Sequence, residues 1–259
     1  MLVVENLTKT FGDTRAVDNI SLRIEAGEMV AVIGRSGAGK STFLRMINRL
    51  VEPNVGRILS EGEDVLHYRG RELRQWRAQT AMIFQQFNLV NRLDVLTNVL
   101  IGRVIKHNLL DTMFKRFTED ERANAVHILN RLGLLDQALQ RTETLSGGQQ
   151  QRVAIAKALM QKPKIILADE PVASLDPHNS TQVMDTLRMI NREDGLTVLC
   201  NLHTLDIARN YCTRIVGLSA GRIVFDGPPE MLNDAALEKI YGATGLSDDD
   251  KPNTLQLAA

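Results

Sequence analysis

The first fifty residues contain short β-type apolar segments separated by turn residues. The alternation over residues 2–11 and 16–24, with a glycine-containing turn between them, predicts two antiparallel strands. A third strand is predicted at residues 29–33, and it leads directly into a glycine-rich loop. Apolar positions at helical spacing follow from residue 41 to residue 50. The start of the chain therefore predicts a strand, loop and helix unit beside an antiparallel pair.

The pattern changes between residues 90 and 144. Amphipathic stretches such as 119–132 replace the β-rich runs there and predict a helical insertion. Strands and helices then alternate, with helices predicted at 147–160, 177–191 and 204–211 and strands at 164–168, 196–202 and 214–218. This alternation predicts an α/β fold with a largely parallel sheet covered by helices. The polar tail from residue 247 is expected to be loose or to act as a docking segment.

Composition and charge narrow the possible functions. The 259 residues include 31 basic and 31 acidic ones, so no general attraction to nucleic acid is expected. No apolar run approaches the about 20 residues that cross a bilayer, and the first residues lack the pattern of a secretory signal. A cytoplasmic location is therefore expected. Cys200 and Cys212 lack metal-knuckle spacing and are expected to be packed or surface thiols in a reducing compartment.

The glycine-rich loop has the sequence of a phosphate-binding loop. Residues 34–41, GRSGAGKS, fit the pattern G-x-x-x-x-G-K-[ST] between a strand and a helix. Its glycines allow backbone amides to turn towards phosphate oxygens, Lys40 supplies a positive charge, and the Ser41 hydroxyl suits Mg²⁺. The alternative is a glycine-rich turn without a ligand. The residues expected to surround the nucleotide phosphates are Gly34, Arg35, Ser36, Gly37, Ala38, Gly39, Lys40, Ser41 and Thr42.

An acidic pair follows a strongly apolar segment further along the chain. Residues 165–168, IILA, read as a strand that is buried on both faces, and Asp169 and Glu170 follow it. Ligand sites of open α/β sheets lie at the carboxyl ends of strands. Asp169 is therefore expected to hold Mg²⁺ and Glu170 to orient or deprotonate an attacking water. A solvated turn is the alternative for an acidic pair taken alone.

A second candidate anion site opens the helix predicted at 147–160. In the sequence LSGGQ, residues 145–149, Ser146 is placed as the helix N-cap. Gly147 and Gly148 are expected to leave the helix start bare of side chains, which suits an anion. The alternative is a capping role alone.

The LSGGQ sequence, lying shortly before an IILADE strand, resembles the signature of the ABC ATPase family, and the resemblance covers residues 1 to about 240. It implies a P-loop NTPase of the ABC type, in which a mostly parallel core sheet carries an antiparallel β subdomain and a helical insertion subdomain. It implies one domain at 1–245, with its core in 1–89 and 145–245, a helical subdomain at 90–144 and a flexible tail at 246–259.

The resemblance also implies how two chains share ATP. The signature residues Ser146, Gly147, Gly148 and Gln149 of one subunit would close over the γ-phosphate held by the partner, so a homodimer would enclose two ATP molecules. Cofactors would be ATP and Mg²⁺.

The remaining family motifs occur in family order. Gln85 in MIFQQFNL resembles the glutamine that senses the γ-phosphate and binds the metal, Asp176 belongs to an SLD motif, and His203 in CNLHTLD resembles the switch histidine. Phe11 lies where the family often places an aromatic residue on adenine. Each residue has an alternative interpretation. Gln85 could be a polar residue that ends a strand, and Asp176 could be a helix N-cap. His203 could be a histidine with its hydrogen bonds satisfied at a strand end, and Phe11 could be a core residue.

Two stretches, residues 84–103 and 200–227, are most similar to the phosphonate-import ATPases. Membrane permease subunits and, indirectly, a solute-binding protein are the implied partners, with no nucleic acid. The implied location is peripheral, on the cytoplasmic face of the cell (inner) membrane. Other possible functions are a polar amino-acid or other small-anion importer ATPase, a soluble ABC ATPase outside transport, and a non-catalytic nucleotide-binding scaffold.

Overall fold

A computed structural model of the protein describes residues 1–103 and 117–242. The chain divides into two compact units. One unit combines Met1–Leu66 with the chain from Val198 onward, and the other is His67–Thr197. The predicted helical subdomain at 90–144 falls inside the second unit, and its boundaries stay a prediction. The predicted tail at 246–259 lies outside the described residues.

The described residues include ten strands and eight α-helices. The strands are β1 (Leu2–Phe11), β2 (Thr14–Ile24), β3 (Met29–Ile33), β4 (Val55–Ser60), β5 (Glu63–Asp64), β6 (Thr80–Ile83), β7 (Ile165–Asp169), β8 (Thr197–Asn201), β9 (Arg214–Ser219) and β10 (Arg222–Gly227). The helices are α1 (Lys40–Ile47), α2 (Gly70–Gln79), α3 (Val95–Ile101), α4 (Glu119–Arg131), α5 (Gly147–Leu159), α6 (Pro177–Asp194), α7 (Leu205–Tyr211) and α8 (Asp234–Tyr241). None of these described helices is long and apolar enough to cross a membrane.

The first unit contains the predicted antiparallel pair. Strands β1 and β2 are antiparallel, and the sheet continues through β4 to β5. In β2 the side chains of Ile20, Leu22 and Ile24 are buried while the residues between them are exposed. This period-two alternation is the expected pattern of a strand that packs one face on a core.

Strand β3 is the centre of the parallel part of the first unit. It pairs in parallel with β8 on one side and β9 on the other, and β10 continues antiparallel from β9. All five residues of β3 and all five of β8 are buried. The parallel pairing confirms the prediction of a largely parallel sheet, and the continuous burial fits strands that are covered on both faces and so lose the alternation.

In the second unit, β6 and β7 form a parallel pair and helices pack against one another. Helix α3 packs on α4 and α5, and α5 also packs on α4 and α6. Helix α4 begins with a capping box, in which Thr118 Oγ1 accepts from the Glu121 amide and the Glu121 carboxylate accepts from the Thr118 amide. This reciprocal pairing satisfies two amides that an isolated helix end leaves open.

Candidate functional site

The phosphate loop leaves β3 and enters α1 in a conformation that requires glycine. Gly34 and Gly39 have φ angles of 149° and 98°. A Cβ atom at Gly34 would meet the Leu218 carbonyl oxygen, and one at Gly39 would meet the Ala16 carbonyl oxygen. Two strands therefore crowd the loop so closely that any side chain at these positions would displace backbone.

Lys40 lies beneath this loop and holds its shape. Its side chain is buried, and Nζ donates to the Gly34 carbonyl at 2.6 Å and to the Arg35 carbonyl at 3.2 Å. Gly39 is the N-cap residue of α1 and no side chain caps the helix from that position. The loop thus combines an ordered cation with an uncapped helix start, both of which favour a phosphate group.

The tip of the loop is accessible while its base is not. Gly34, Ala38 and Lys40 are buried, whereas the segment between them, residues 35–37, is exposed. Ser41 and Thr42 in the first turn of α1 are half-buried. The predicted phosphate contacts therefore form one continuous segment whose middle faces outward.

Phe11 and His203 are the other predicted site residues of the first unit. Phe11 ends β1 and is 51% exposed, so its alternative interpretation as a core residue is wrong. Lys9 Nζ lies 5.0 Å from the centroid of the Phe11 ring, within the range of a cation–π contact. His203 is exposed two residues beyond β8. Because β8 and β3 are parallel, His203 and the phosphate loop leave the same edge of the sheet.

The second unit places the acidic pair and Gln85 at one edge of its own parallel strands. Asp169 is the last residue of β7 and is 2% exposed, and Glu170 follows it half-buried. Gln85 is exposed two residues beyond the end of β6. Strands β6 and β7 are parallel, so these three side chains belong to the same carboxyl edge. The structure thus places all three at one edge of this strand pair.

Glu170 has an unusual backbone. Its φ angle is 53°, in the left-handed region that residues with a side chain rarely adopt. This conformation costs a non-glycine residue about 1 kcal/mol or more, and such residues concentrate at functional sites. The strained position immediately after Asp169 therefore supports a functional role for this carboxylate.

Two residues that sequence analysis missed hold the loop that follows Gln85. Buried Asn98 accepts from the Val90 amide at 2.8 Å and donates through Nδ2 to three carbonyls, those of Val90, Leu93 and Asp94, at 3.1, 3.3 and 3.1 Å. An asparagine in the apolar helix VLTNVLI was the signal that could have revealed it.

Lys157 is the second of these residues. Its Nζ donates to the Asn88 carbonyl at 2.7 Å, and burial lowers the pKa of this lysine. An amine with one strong carbonyl acceptor and little water around it is held in place. The loop after Gln85 is therefore fixed from α3 and from α5.

The signature segment caps its own helix. Ser146 Oγ accepts from the Gln149 amide at 3.3 Å, and the Gln149 side chain accepts from the Ser146 amide at 2.9 Å. This capping box confirms Ser146 as the N-cap. It also engages the Gln149 side chain, which sequence analysis had assigned only to nucleotide contact.

The helix start is not bare, however, because the first turn of α6 and the loop before it, in the same unit, pack on it. A Cβ atom at Gly148 would collide with the Asn179 side chain, and one at Gly147 would lie 3.1 Å from Leu175 Cδ2. Asp176 is the N-cap of α6, accepting from the Asn179 amide at 3.0 Å and from its side-chain amide. These hydrogen bonds from Asn179 lower the pKa of the Asp176 carboxyl. Gly148 is thus required within its own chain.

The predicted metal-binding residues are Ser41 in the first unit and Gln85 and Asp169 in the second. A hydroxyl, an amide oxygen and a carboxylate are all hard oxygen donors, and Mg²⁺ in phosphate sites takes few protein ligands beside water and phosphate. The donor types therefore fit this ion.

Comparison with known proteins gives consistent matches. The family model described as ABC transporter matches residues 17–173. The phosphonates import ATP-binding protein PhnC 1 of Rhodopseudomonas palustris is 58% identical over 241 residues, which are 93% of this chain and 89% of that protein. The corresponding protein of Rhizobium johnstonii is 58% identical over 242 residues, 93% and 86% of the two chains.

Solved structures extend the likeness to the fold. The dimeric structure of MJ0796, a bacterial ABC transporter cassette, is similar with a TM-score of 0.77 and 35% identity, covering 88% of this chain and 99% of that one. The ADP conformation of MJ1267, an ATP-binding cassette of an ABC transporter, has a TM-score of 0.82 and 29% identity, covering 93% and 98% of the two chains.

Proposed function

Because the chain belongs to the ABC transporter family of ATP-binding proteins, we propose that it is the ATP-hydrolysing subunit of an importer of phosphonates. The observation that carries this proposal is identity of 58% across 93% of the chain to phosphonate-import subunits. The relatives reported above are named as import proteins, which favours transport over the alternative of a soluble ABC ATPase.

The phosphate loop binds the triphosphate of ATP. Lys40 is already ordered among loop carbonyls, so its charge needs little rearrangement to meet the β- and γ-phosphates. The exposed tip at residues 35–37 and the first turn of α1, with Ser41 and Thr42, donate amides and hydroxyls. Phe11 offers an exposed ring face for adenine.

Hydrolysis uses residues at the carboxyl edges of both parallel strand sets. Ser41, Gln85 and Asp169 would hold Mg²⁺. When bound, Mg²⁺ neutralises developing charge on the phosphate oxygens. Glu170 orients and deprotonates the attacking water, and His203 fixes this water and the γ-phosphate.

The working form is a homodimer in which each signature segment closes over the partner's ATP. Ser146, Gly147 and the amides at the start of α5 meet the γ-phosphate. Asp176 lies near the same loop of the partner subunit. ATP binding closes the two subunits, and hydrolysis and phosphate release open them. Gln85 couples this cycle to the membrane permease subunits, which place the protein peripherally on the cytoplasmic face of the membrane.

A genetic experiment tests the transported solute. Deletion of the gene should abolish growth on a phosphonate as sole phosphorus source and leave growth on inorganic phosphate unchanged. A plasmid with the wild-type gene should restore growth, whereas one with Glu170→Gln should not. Normal growth of the deletion strain on several phosphonates, in a background without a second uptake system, would contradict phosphonate import.

A further inference from the structure

A cavity of about 800 Å³ lies in the second unit and is lined by four cationic side chains. These are Arg71 and Arg74 on α2, Arg103 beyond α3, and Lys162 beyond α5. Three glutamines complete the polar lining, and none of the lining residues within 1–103 and 117–242 is acidic. We name this feature the basic cavity. An ordinary protein surface mixes positive and negative side chains, whereas the charged side chains that line this cavity are all positive.

The basic cavity is separate from the proposed nucleotide site. Helix α2 leads directly into the first residue of β6, and Lys162 lies three residues before the first residue of β7. The cavity therefore lies at the amino-terminal ends of these parallel strands, whereas Asp169 and Gln85 lie at or beyond their carboxyl ends. A strand of five residues separates the two edges by about 13 Å.

Three of the four cations of the basic cavity lack side-chain partners within the described residues. Arg71, Arg74 and Lys162 form no ion pair and no side-chain hydrogen bond with any residue in 1–103 or 117–242. Guanidinium groups of α2 that line a concave surface without carboxylates keep their hydrogen-bonding capacity for a ligand.

Arg103 supplies a second and independent observation. Its side chain is 13% exposed, and its Nη1 is buried with no hydrogen-bond partner in the described part of the chain. Its Nε lies 3.6 Å from Glu121 Oε1, while the other Glu121 oxygen accepts from the Thr118 amide. This is the one ion pair that a cation of the basic cavity forms within residues 1–103 and 117–242. A buried guanidinium nitrogen without an acceptor is costly, so the charge of Arg103 is only partly compensated by the described residues.

From these observations we infer that the basic cavity binds a small molecule that carries at least two phosphate-type oxyanion groups. Planar guanidinium groups recognise such oxygens with paired hydrogen bonds. The volume exceeds that of one oxyanion and lies within the range of small-molecule sites. Four cations against one carboxylate favour a polyvalent ligand over a singly charged one. The inference does not depend on phosphonate transport, since it concerns binding to the isolated subunit.

The test is calorimetric titration of the full chain with inorganic pyrophosphate. The protein is first saturated with ADP in EDTA, so that the phosphate loop is occupied and no metal complexes the probe. We expect one pyrophosphate per chain. Arg71→Gln with Arg74→Gln, both at exposed positions, should weaken this binding, as should Arg103→Gln, by about tenfold for each lost charged contact.

Arg192→Gln is the matched control, because Arg192 is exposed on α6 and does not line the basic cavity. It should bind pyrophosphate as the wild type does. The inference is overturned if ADP abolishes pyrophosphate binding, which would assign the signal to the phosphate loop. Equal affinity of the wild type and the Arg71→Gln, Arg74→Gln variant would overturn it as well.

A second arm separates a free anion from phosphate groups that are displayed side by side on a lipid surface. The chain is sedimented with vesicles of phosphatidylglycerol and, in parallel, with vesicles of phosphatidylcholine. We expect pyrophosphate binding without sedimentation. Sedimentation with phosphatidylglycerol that the Arg71→Gln, Arg74→Gln variant loses, together with no pyrophosphate binding, would overturn the assignment to a free small anion.

Discussion

Asn98→Ala should loosen the loop that follows Gln85 and destabilise the second unit. The Asn98 side chain is fully buried and makes one accepted and three donated contacts with residues 90–94. An amide group has two N–H donors, so these contacts amount to three independent hydrogen bonds, one of them shared.

The expected loss follows from these hydrogen bonds. A net contribution of about 1 kcal/mol for each gives a decrease of about 3 kcal/mol in the free energy of unfolding. The Val90 amide loses its acceptor, whereas the Val90 carbonyl keeps the Thr142 hydroxyl at 3.2 Å. The loss should therefore lie nearer to 3 kcal/mol than to the larger values of a fully unpaired buried peptide group.

Two measurements check this prediction. Urea unfolding of wild type and variant gives the change in free energy, and hydrogen exchange of the peptide covering residues 84–94 shows whether the loosening is local. Asn124→Ala is the control, since Asn124 is half-buried on α4 and its side-chain amide donates to the Met160 sulfur at 3.3 Å. A loss below about 0.5 kcal/mol for Asn98→Ala, with unchanged exchange, would refute the role of Asn98 in holding this loop.

Three further predictions concern the site and its surroundings. Lys40→Ala should abolish tight ATP binding in a fluorescence titration without lowering the melting temperature by more than a few degrees, and unchanged ATPase activity would contradict its role. Glu170→Gln should bind Mg·ATP, hydrolyse it very slowly and form dimers in light scattering, and monomers at saturating ATP would count against the shared site. Asp18 has a carboxyl pKa lowered first by its hydrogen bond with Arg222, so its stabilisation is present above the unfolded pKa of about 3.9 and is lost as the pH falls through the folded value. Asp18→Asn should therefore reduce the decrease in stability between pH 5 and pH 3, and an unchanged acid profile would refute the pairing.

Much of the fold could be predicted because its buried elements have clear periodicity. The strand predicted at 2–11 and the one predicted at 29–33 have the observed bounds, and the helices at 119–132 and 147–160 are each one residue shorter than predicted. Capping chemistry was equally readable, since Ser146 and Asp176 both cap helices as their residue types suggest.

Elements without a strong pattern were missed for a physical reason. Helix α2 buries only Trp76 and is otherwise polar or half-buried, so it has no apolar stripe to read. Strands β4 and β10 carry few buried side chains, and β5 has two residues. Their stability comes from pairing with neighbours rather than from a periodic face.

The contacts that position the candidate site also depend on residues that are distant in sequence. Lys157 donates to a carbonyl 69 residues earlier in the chain, and Asn179 fills the space beside Gly148. No local sequence pattern predicts either contact. The motifs therefore indicated which residues carry the chemistry, and the structure was needed to identify what holds them.

The close approach of Asn179 to Gly148 restricts the order in which this protein can change during evolution. A side chain at Gly148 is excluded while Asn179 is present, because the two would occupy the same space. Replacement of Asn179 by a smaller residue opens that space, but it also removes the side-chain donor to Asp176. Lineages that exchange Gly148 for alanine should therefore pass first through a change at Asn179, and the reverse order should pass through a poorly folded intermediate. Substitutions at these two positions, 31 residues apart, should therefore be coupled.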